Sequence, residues 1–385
     1  MTTKQMDFYS SLEEHRRIMK SKVFFADLRT TPRRNLLDKI DDLLAAVGVR
    51  ERFRKGHLVA VKLHFGEKGN ASYVRPVFVR RAVDRIAETG ARPFLTDTNT
   101  LYVGSRGNSV DHLKTAIENG FDYAVAGAPL IIADGLRGEA GLPIRIEGRH
   151  LKEVSIAGEI ASADGLLAIS HFKCHELTGF GGALKNVGMG GASREGKLVQ
   201  HSSCAPVVDP DGCNACGDCA LACPSDAIEV GNVAVIIDNA CIGCGHCIAV
   251  CPQGTINVRW NETASRLQEK MVEHFEGAVK GKEGRCVYLT FVTQVSPACD
   301  CYGHNDAPIV PDAGVLASID PVAIDQAAAD VVNGLAGLEG TALTAGHEPG
   351  GDKFRGVHPS IDWEVQLDYA QDRGLGTRDY SLEKV

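Results

Sequence analysis

The chain has 385 residues, of which 44% are hydrophobic and 23% are charged, and its formal net charge is -8. This is the composition of a globular protein with room for one large domain or two ordinary ones. The sequence has no basic cluster that would follow a phosphate backbone, and its acidic residues are dispersed. We therefore do not expect nucleic acid as a partner.

Neither export nor membrane insertion is expected from the sequence. The first 25 residues mix charged side chains with single apolar ones and contain no apolar run of signal-peptide length. No segment approaches the roughly 18 apolar residues that a membrane span needs. We therefore expect a cytoplasmic protein without a membrane span.

Short apolar runs alternate with helix-period stretches from residue 57 onward, which is typical of repeated βαβ units. The predicted strands, in chain order, are His57 to Leu63, Pro93 to Thr96, Gly165 to Ile169 and Val287 to Val292. The predicted helices cover residues 79–87, 111–119, a stretch around 267–275, and 321–333. The predicted fold class is therefore α/β, with a mostly parallel sheet flanked by helices.

The composition changes at about Cys204 and changes back at about Trp260. We predict an α/β host domain over residues 1–204 and 260–385, with a small module inserted at 205–259. A segment this short cannot bury a sufficient apolar core, so it needs an additional stabilising element such as disulfides or a bound metal. The stretch after Asp352 is interpreted as a surface extension of the host.

Eight of the 13 cysteines fall into two repeats. The repeats are Cys213-x2-Cys216-x2-Cys219-x3-Cys223-Pro and Cys241-x2-Cys244-x2-Cys247-x3-Cys251-Pro. This is the spacing of bacterial 4Fe-4S ligation, in which each fourth cysteine serves the other cluster. We predict one cluster on Cys213, Cys216, Cys219 and Cys251, and a second on Cys241, Cys244, Cys247 and Cys223. Four-cysteine zinc sites are the alternative, although zinc requires neither the three-cysteine run nor the repeated Cys-Pro ending.

Over Val207 to Val258 this segment resembles the bacterial two-cluster ferredoxin family. The runs from Cys223 to Ile228 and from Cys251 to Ile256 both follow the Cys-Pro-x-x-x-Ile pattern of that family. The resemblance implies that the module carries electrons, with an electron donor or acceptor protein as partner.

Polar residues follow each predicted strand of the host, where an open parallel sheet places its ligands. They are Lys62 and His64, then Asp97, Thr98 and Asn99, then His171, Lys173, Cys174, His175 and Glu176, and finally Cys299, Asp300, Cys301, His304, Asn305 and Asp306. We predict that they share one cleft, although loops are also polar for solubility alone. The predicted catalytic residues are His175, Lys185, His64 and Lys62, which would orient an anionic small molecule or donate protons.

A glycine-rich turn runs from Thr178 to Gly191 and enters a predicted short helix near Lys185. Free N–H groups at such a turn suit an anion, so Thr178, Gly181, Gly182 and Lys185 are predicted to bind a cofactor. The turn matches neither the dinucleotide nor the P-loop fingerprint, and a tightly packed turn is the alternative.

Cys299, Cys301 and His304 are predicted to form a further metal or redox site, with inert thiols as the alternative. Flavin sites often lack a short linear motif, so the sequence leaves open whether a flavin is bound. Cys204 and Cys286 are interpreted as ordinary single thiols.

Three stretches together resemble the family known as domain of unknown function 362. They are Lys62 to Glu67, His175 to Lys197 with Gln200-His201, and the segment from Cys299 to Asp306 with its continuation to Asp325. Many members of that family carry an inserted two-cluster ferredoxin module. Our leading hypothesis is an iron-sulfur oxidoreductase that relays single electrons to a ligand in the host cleft. The alternatives are an electron carrier that docks a partner enzyme, and a factor that matures a metal site or cluster.

Overall fold

The computed structural model describes residues 20–102, 104–202 and 205–385. The N-terminal residues 1–19, to which the signal-peptide prediction largely applies, and Cys204 lie outside the described residues. Within these ranges, no helix combines the length and the apolar character needed to traverse a bilayer.

The strands of the described residues are short and spread along the chain. They are β1 (Ser21–Asp27), β2 (Leu58–Lys62), β3 (Arg92–Asp97), β4 (Leu130–Ile132), β5 (Gly141–Arg145), β6 (Glu153–Ala157), β7 (Gly165–His171), β8 (Lys173–His175), β9 (Gly179–Gly181), β10 (Val207–Val208), β11 (Ile228–Val230), β12 (Ala234–Ile236), β13 (Ile256–Asn257), β14 (Cys286–Val292), β15 (Gly314–Ser318) and β16 (Tyr380–Lys384).

Helices alternate with these strands. They are α1 (Leu36–Ala46), α2 (Val49–Arg52), α3 (Pro76–Ala87), α4 (Ser109–Glu118), α5 (Tyr123–Ala126), α6 (Gly158–Ser162), α7 (Ala183–Gly188), α8 (Arg194–His201), α9 (Asp218–Leu221), α10 (His246–Val250), α11 (Ala264–Val279), α12 (Pro321–Asn333), α13 (Lys353–Val357) and α14 (Glu364–Asp372).

Eight strands form the main sheet in the order β16-β1-β15-β14-β7-β2-β3-β4. Strand β15 is antiparallel to both of its neighbours, and every other pair in this sheet is parallel. Helices cover both faces, as a largely parallel sheet requires. The predicted α/β class with a mostly parallel sheet flanked by helices is confirmed.

Side chains of the central strands alternate between the two faces of the main sheet, so the apolar core is divided into two parts. Val59 and Val61 of β2 pack with α1 and α3 on one face, while Ala60 packs with α7, α11 and α12 on the other. Successive strand side chains point to opposite faces, so a strand buried on both faces becomes a continuous apolar run. This is why the predicted strands coincide with β2, β3, β7 and β14.

The C-terminal stretch does not conform to its prediction. We interpreted the residues after Asp352 as a surface extension, but β16 pairs with β1 as an edge strand of the main sheet. Phe354 of α13 and Leu367 of α14 have no solvent exposure. The surface interpretation was wrong because only the packing of the folded chain reveals which residues of this stretch are buried.

Residues 205–259 contribute no strand to the main sheet. Strand β10 pairs with β13 and β11 pairs with β12, each as a two-stranded antiparallel sheet. The segment has its own small apolar cluster, which includes Ile228, Ile248 and Ile256. Its identity as a ferredoxin-type module stays a prediction.

Candidate functional site

The structure groups the eight repeat cysteines into two sets of four. One small cavity is lined by Cys213, Cys216, Cys219 and Cys251. A second is lined by Cys223, Cys241, Cys244 and Cys247. In each set three sulfurs come from one repeat and the fourth comes from the other repeat. These are the two sets of four predicted from the sequence, and none of the eight cysteines forms a disulfide.

The surroundings of these thiols suit a group that accepts hydrogen bonds through sulfur. The Ala227 N–H donates to Cys223 Sγ at 3.2 Å, and the Ala234 N–H donates to Cys213 Sγ at 3.4 Å. Gly217 and Gly245, which precede α9 and α10, have φ values of 85° and 71°, in the left-handed region that glycine adopts without strain. Four cysteines around one small cavity, with N–H donors to sulfur, are the residue types that an iron-sulfur cluster needs. The residues therefore fit two 4Fe-4S clusters.

The cysteine segment packs directly on the host. Leu101 and Leu198 belong to the same apolar cluster as Cys219 and Cys247. A Cβ built on Gly245 would lie 3.8 Å from Leu198 Cδ2, which places the loop between Cys244 and Cys247 against α8. Leu101 is 2% exposed. The segment therefore has a fixed orientation with respect to the host at this contact.

A larger cavity of about 600 Å³ opens at the carboxyl ends of β2, β3 and β7. Most of the polar side chains predicted to share a cleft line it. Its lining includes Lys62, His64, Asp97, Thr98, Lys173, His175, Glu176, Lys185, Cys299 and Cys301, together with Thr100, Leu101, Tyr102, Arg106, Leu177, Asn186, Met189, Gly190, Lys197, His201, Trp260 and Tyr302. The four residues predicted to be catalytic thus face one cavity of the size typical of small-molecule sites.

Behind the cavity wall, Asp300 organises a buried ionic group. Its carboxylate lies 2.8 Å from His171 Nδ1 and 3.0 Å from Lys173 Nζ, and Ser72 Oγ donates to it at 3.2 Å. His171 Nε2 faces the carbonyl oxygen of Thr293 at 2.9 Å. Both nitrogens of His171 are therefore engaged, and its ring does not line the cavity. Cys174 points the opposite way into the apolar core, where burial raises the pKa of its thiol.

Lys62 is held by a second buried group. Its Nζ lies 2.9 Å from Asp97 Oδ1 and donates to Asn186 Oδ1 at 2.9 Å. Burial alone would raise the pKa of Asp97, but Lys62 and its other cationic neighbours hold it well below its ordinary value. Burial lowers the pKa of Lys62 although Asp97 opposes the shift, and the two side chains form an ion pair that is fixed in the cavity wall.

Two histidines present N–H groups towards the cavity. His64 Nδ1 accepts from the Gly66 N–H at 2.9 Å, and His175 Nδ1 accepts from the Leu177 N–H at 3.1 Å. In the neutral ring the proton is then on Nε2. Burial, and then Arg106, lower the pKa of His64 well below its ordinary value. His64 is therefore a neutral hydrogen-bond donor at neutral pH.

Cys299 is surrounded by groups that stabilise a thiolate. Lys185 Nζ lies 3.2 Å from its Sγ, and the Cys301 N–H donates to the same sulfur at 3.4 Å. The Cys301 thiol, and then Lys185 and His175, lower the pKa of Cys299 well below its ordinary value despite burial. Burial alone would lower the pKa of Lys185, but the sulfur raises it. A buried thiolate-ammonium pair therefore faces the cavity.

The glycine-rich turn is organised by a residue of the chain itself. The Ala183 and Leu184 N–H groups at the start of α7 donate to the two carboxylate oxygens of Asp325, at 2.6 and 2.9 Å. Thr178, Gly181 and Gly182 do not line the cavity, whereas Lys185 does. The N–H groups predicted to bind an anion are thus already occupied, and the tight-turn alternative describes this segment better.

Alanine at Gly182 is expected to destabilise the protein by about 1–3 kcal/mol, because overpacking costs this much. Its Cβ would lie 2.3 Å from Asp325 Oδ1, against the carboxylate that caps α7. The change is measured as the shift in urea midpoint. Gly231→Ala is the control, because nothing lies within 4 Å of a Cβ there, and it is expected to change stability by less than about 0.5 kcal/mol. Equal shifts for the two variants would contradict the close approach.

His304 lies apart from the two cysteines with which it was grouped. It lines a different, open cavity together with Ala298, Asp306 and His358. Across residues 20–102, 104–202 and 205–385, no three His, Cys, Asp or Glu side chains converge so as to hold a single metal ion. The structure brings Cys299 and Cys301 together without His304.

Several cavity residues were missed by reasoning from the sequence. Arg106 bridges Glu67 and Asp97, at 3.0 and 3.5 Å. Lys197 on α8 donates to Thr98 Oγ1 and to the Ala192 carbonyl oxygen. The ring of Trp260 lies edge-on to His201, with centroids 4.7 Å apart. In the sequence only Lys197 and His201 could have been singled out, because they lie in the stretches that resemble the domain of unknown function 362 family.

Two solved structures are similar to parts of the chain. One is the lactate racemase apoprotein from Thermoanaerobacterium thermosaccharolyticum, with 12% identity, a TM-score of 0.39, and coverage of 71% of this chain and 51% of that one. The other is a protein from Thermotoga maritima, with 13% identity, a TM-score of 0.34, and coverage of 68% and 52%. The chain spans about half the length of each, and these distant similarities do not bear on function. No curated protein gives a match.

A family model described as domain of unknown function, DUF362, matches residues 59–330. The match covers more than half of the chain, including the strand ends that line the cavity and the cysteine segment. The chain therefore belongs to the DUF362 family.

Proposed function

We propose that this chain is an iron-sulfur protein whose two 4Fe-4S clusters pass single electrons to a ligand bound in the strand-end cavity. Cys213, Cys216, Cys219 and Cys251 would hold one cluster, and Cys223, Cys241, Cys244 and Cys247 the other. When bound, each cluster supplies a one-electron carrier. No disulfide joins any of the described cysteines, as suits the reducing cytoplasm that we propose as its location.

The observation that carries this proposal is the position of Leu101. Its side chain lines the cavity and also belongs to the apolar cluster that contains Cys219 and Cys247. A single buried residue therefore contacts both the cysteine segment and the space where a ligand would lie. A free carrier has no need of such a fixed contact, which favours delivery of electrons within the same chain.

The cavity charge favours an anionic ligand. Its lining contains five cationic side chains against two carboxylates and the Cys299 thiolate, and Leu101, Leu177, Met189 and Trp260 form apolar parts of the wall. The Nε2–H group of His64 adds a neutral donor. We propose that the ligand is a small molecule with an anionic end and an apolar part, and that an electron donor protein reduces the clusters.

The test is anaerobic purification followed by iron, sulfide and zinc analysis, EPR spectroscopy, and mass spectrometry of released small molecules. We expect about eight irons and eight sulfides per chain, with an EPR signal after reduction by dithionite. About two zinc ions and no EPR signal would contradict the cluster assignment. A small molecule released on denaturation is expected as well. If the clusters are present and no small molecule is released, the chain is a carrier that docks a partner.

A further inference from the structure

We propose that Cys299 and Cys301 are a redox-active pair that reduces a small anionic disulfide and is itself regenerated by the two clusters. The inference rests on the proposed function for the supply of electrons. It makes the cysteine pair of this chain the first acceptor of the cluster electrons. It also gives the ligand a chemical class, an anionic disulfide.

The turn geometry holds the two cysteines on one cavity wall. The Tyr302 N–H donates to the Cys299 carbonyl oxygen at 3.1 Å, which closes a tight turn with Asp300 and Cys301 at its centre. Both cysteines line the cavity, and the Cys301 N–H donates to Cys299 Sγ. Asp300 between them is fixed by His171 and Lys173. The turn therefore holds a second thiol next to the first.

The charges around the pair divide the two thiols into an attacking and a resolving sulfur. Lys185 Nζ lies 3.2 Å from Cys299 Sγ, and His175 faces the same sulfur. The neighbouring Cys299 thiolate, together with burial, raises the pKa of Cys301 well above its ordinary value. Cys299 is therefore the thiolate that attacks, because thiol-disulfide exchange proceeds through the thiolate. Cys299 is 1% exposed, so a reagent reaches it only through the cavity.

The chemistry balances in two stages. The Cys299 thiolate attacks one sulfur of R–S–S–R and forms a mixed disulfide, with release of one RS⁻. The Cys301 thiol then displaces the second sulfur as RSH, and the Cys299–Cys301 disulfide forms. Two electrons, one from each reduced cluster, and one proton convert that disulfide back into a thiolate and a thiol. Two one-electron carriers thus match a two-electron acceptor.

A short path made of a packing contact, one peptide bond and a hydrogen bond joins the cysteine segment to this pair. Leu101 packs in the apolar cluster with Cys219 and Cys247, and the next residue, Tyr102, donates from its Oη to the Cys301 carbonyl oxygen at 2.8 Å. Arg106 Nη2 donates to the same Oη at 2.8 Å and holds the phenol in place. The pair is therefore connected to the cluster segment through two consecutive residues.

The first test is independent of electron delivery. Anaerobic protein as isolated is treated with oxidised glutathione, an anionic disulfide, and its peptides are mapped by mass spectrometry. We expect a Cys299–Cys301 disulfide in the wild type and glutathione retained on Cys299 in Cys301→Ser. Lys185→Met removes the ammonium beside Cys299 Sγ and is expected to slow the reaction by roughly threefold for each unit by which the pKa of Cys299 rises above the assay pH, because the smaller thiolate fraction is partly offset by a more nucleophilic thiolate. Cys286 is the internal control and is expected to stay unmodified. Absence of both products, or an equal rate in Lys185→Met, would overturn the reactive pair.

The second test measures electron delivery. Protein with reduced clusters, freed of excess dithionite, is mixed with oxidised glutathione while the cluster absorbance and the released thiol are followed. We expect two clusters to be reoxidised for each disulfide reduced, and at least tenfold slower reoxidation in Cys299→Ser and in Cys301→Ser, with normal iron content in both. Equal rates in the wild type and both variants would overturn the inference. A lack of clusters would instead refute the proposed function, and the first test would still decide the thiol pair.

Discussion

Alanine in place of Cys251 is expected to lower the iron content from about eight to about four atoms per chain, because one cluster loses a ligand. The structure places Cys251 with Cys213, Cys216 and Cys219, which belong to the other repeat. Anaerobic alkylation followed by peptide mapping is the sharpest measurement. Those three cysteines should become reactive, while Cys241, Cys244, Cys247 and Cys223 stay protected.

The reciprocal variant and a matched control complete this test. Cys223→Ala is expected to expose the cysteines of the second set, Cys241, Cys244 and Cys247, and to leave the first set protected. Cys286→Ala changes a partly buried cysteine outside the repeats and is expected to leave the iron content unchanged. If Cys251→Ala instead exposed the three cysteines of its own repeat, the crossed arrangement would be refuted.

Asparagine in place of Asp300 is expected to destabilise the protein by about 3–5 kcal/mol, because it leaves buried cations without their carboxylate. Asp300 has no solvent exposure, and its two oxygens serve His171 and Lys173. The urea midpoint is the measurement. Asp372→Asn, at an exposed position at the end of α14, is the control and is expected to change stability by less than about 0.5 kcal/mol. A small effect at Asp300 would mean that His171 and Lys173 find other partners.

The same carboxylate gives a pH dependence with a definite sign. Burial alone would raise the pKa of Asp300, but His171 and Lys173 hold it well below its ordinary value. The unfolded chain then binds a proton at a higher pH than the folded one, so stability falls as the pH drops below about 4. We expect the wild type to lose stability in this range more steeply than Asp300→Asn. Parallel curves would show that other carboxylates dominate acid unfolding.

The Asp300 group also explains why two neighbouring histidines have different roles. His171, Lys173 and His175 alternate along the chain and were predicted to share a cleft. Both ring nitrogens of His171 are engaged, one by Asp300 and the other by a carbonyl oxygen. In His175 the Leu177 N–H engages only Nδ1, and Nε2 faces the cavity side. Both are histidines in the same short segment, so the sequence does not distinguish their roles. The positions of Asp300 and Thr293 in the folded structure do.

The sequence by itself determined the features that depend on local pattern. Cysteine spacing is a one-dimensional signal, and the two predicted sets of four are the sets that the structure brings together. The continuous apolar runs of β2, β7 and β14 are equally local, because a strand covered on both faces cannot alternate. The polar strand ends follow from the same argument, since parallel strands place their carboxyl ends at one edge.

Only the tertiary structure decided which polar groups remain available for chemistry. Asp325 lies more than 140 residues from the α7 start that it caps, and no pattern at the glycine-rich turn reveals that its N–H groups are occupied. The pairing of Lys185 with Cys299 joins residues 114 apart. Hydrogen bonds and ion pairs form wherever the fold brings partners within about 3 Å, so their choice is a property of packing. Spacing therefore fixed where the clusters would be held, and packing fixed which side chains face the cavity beside them.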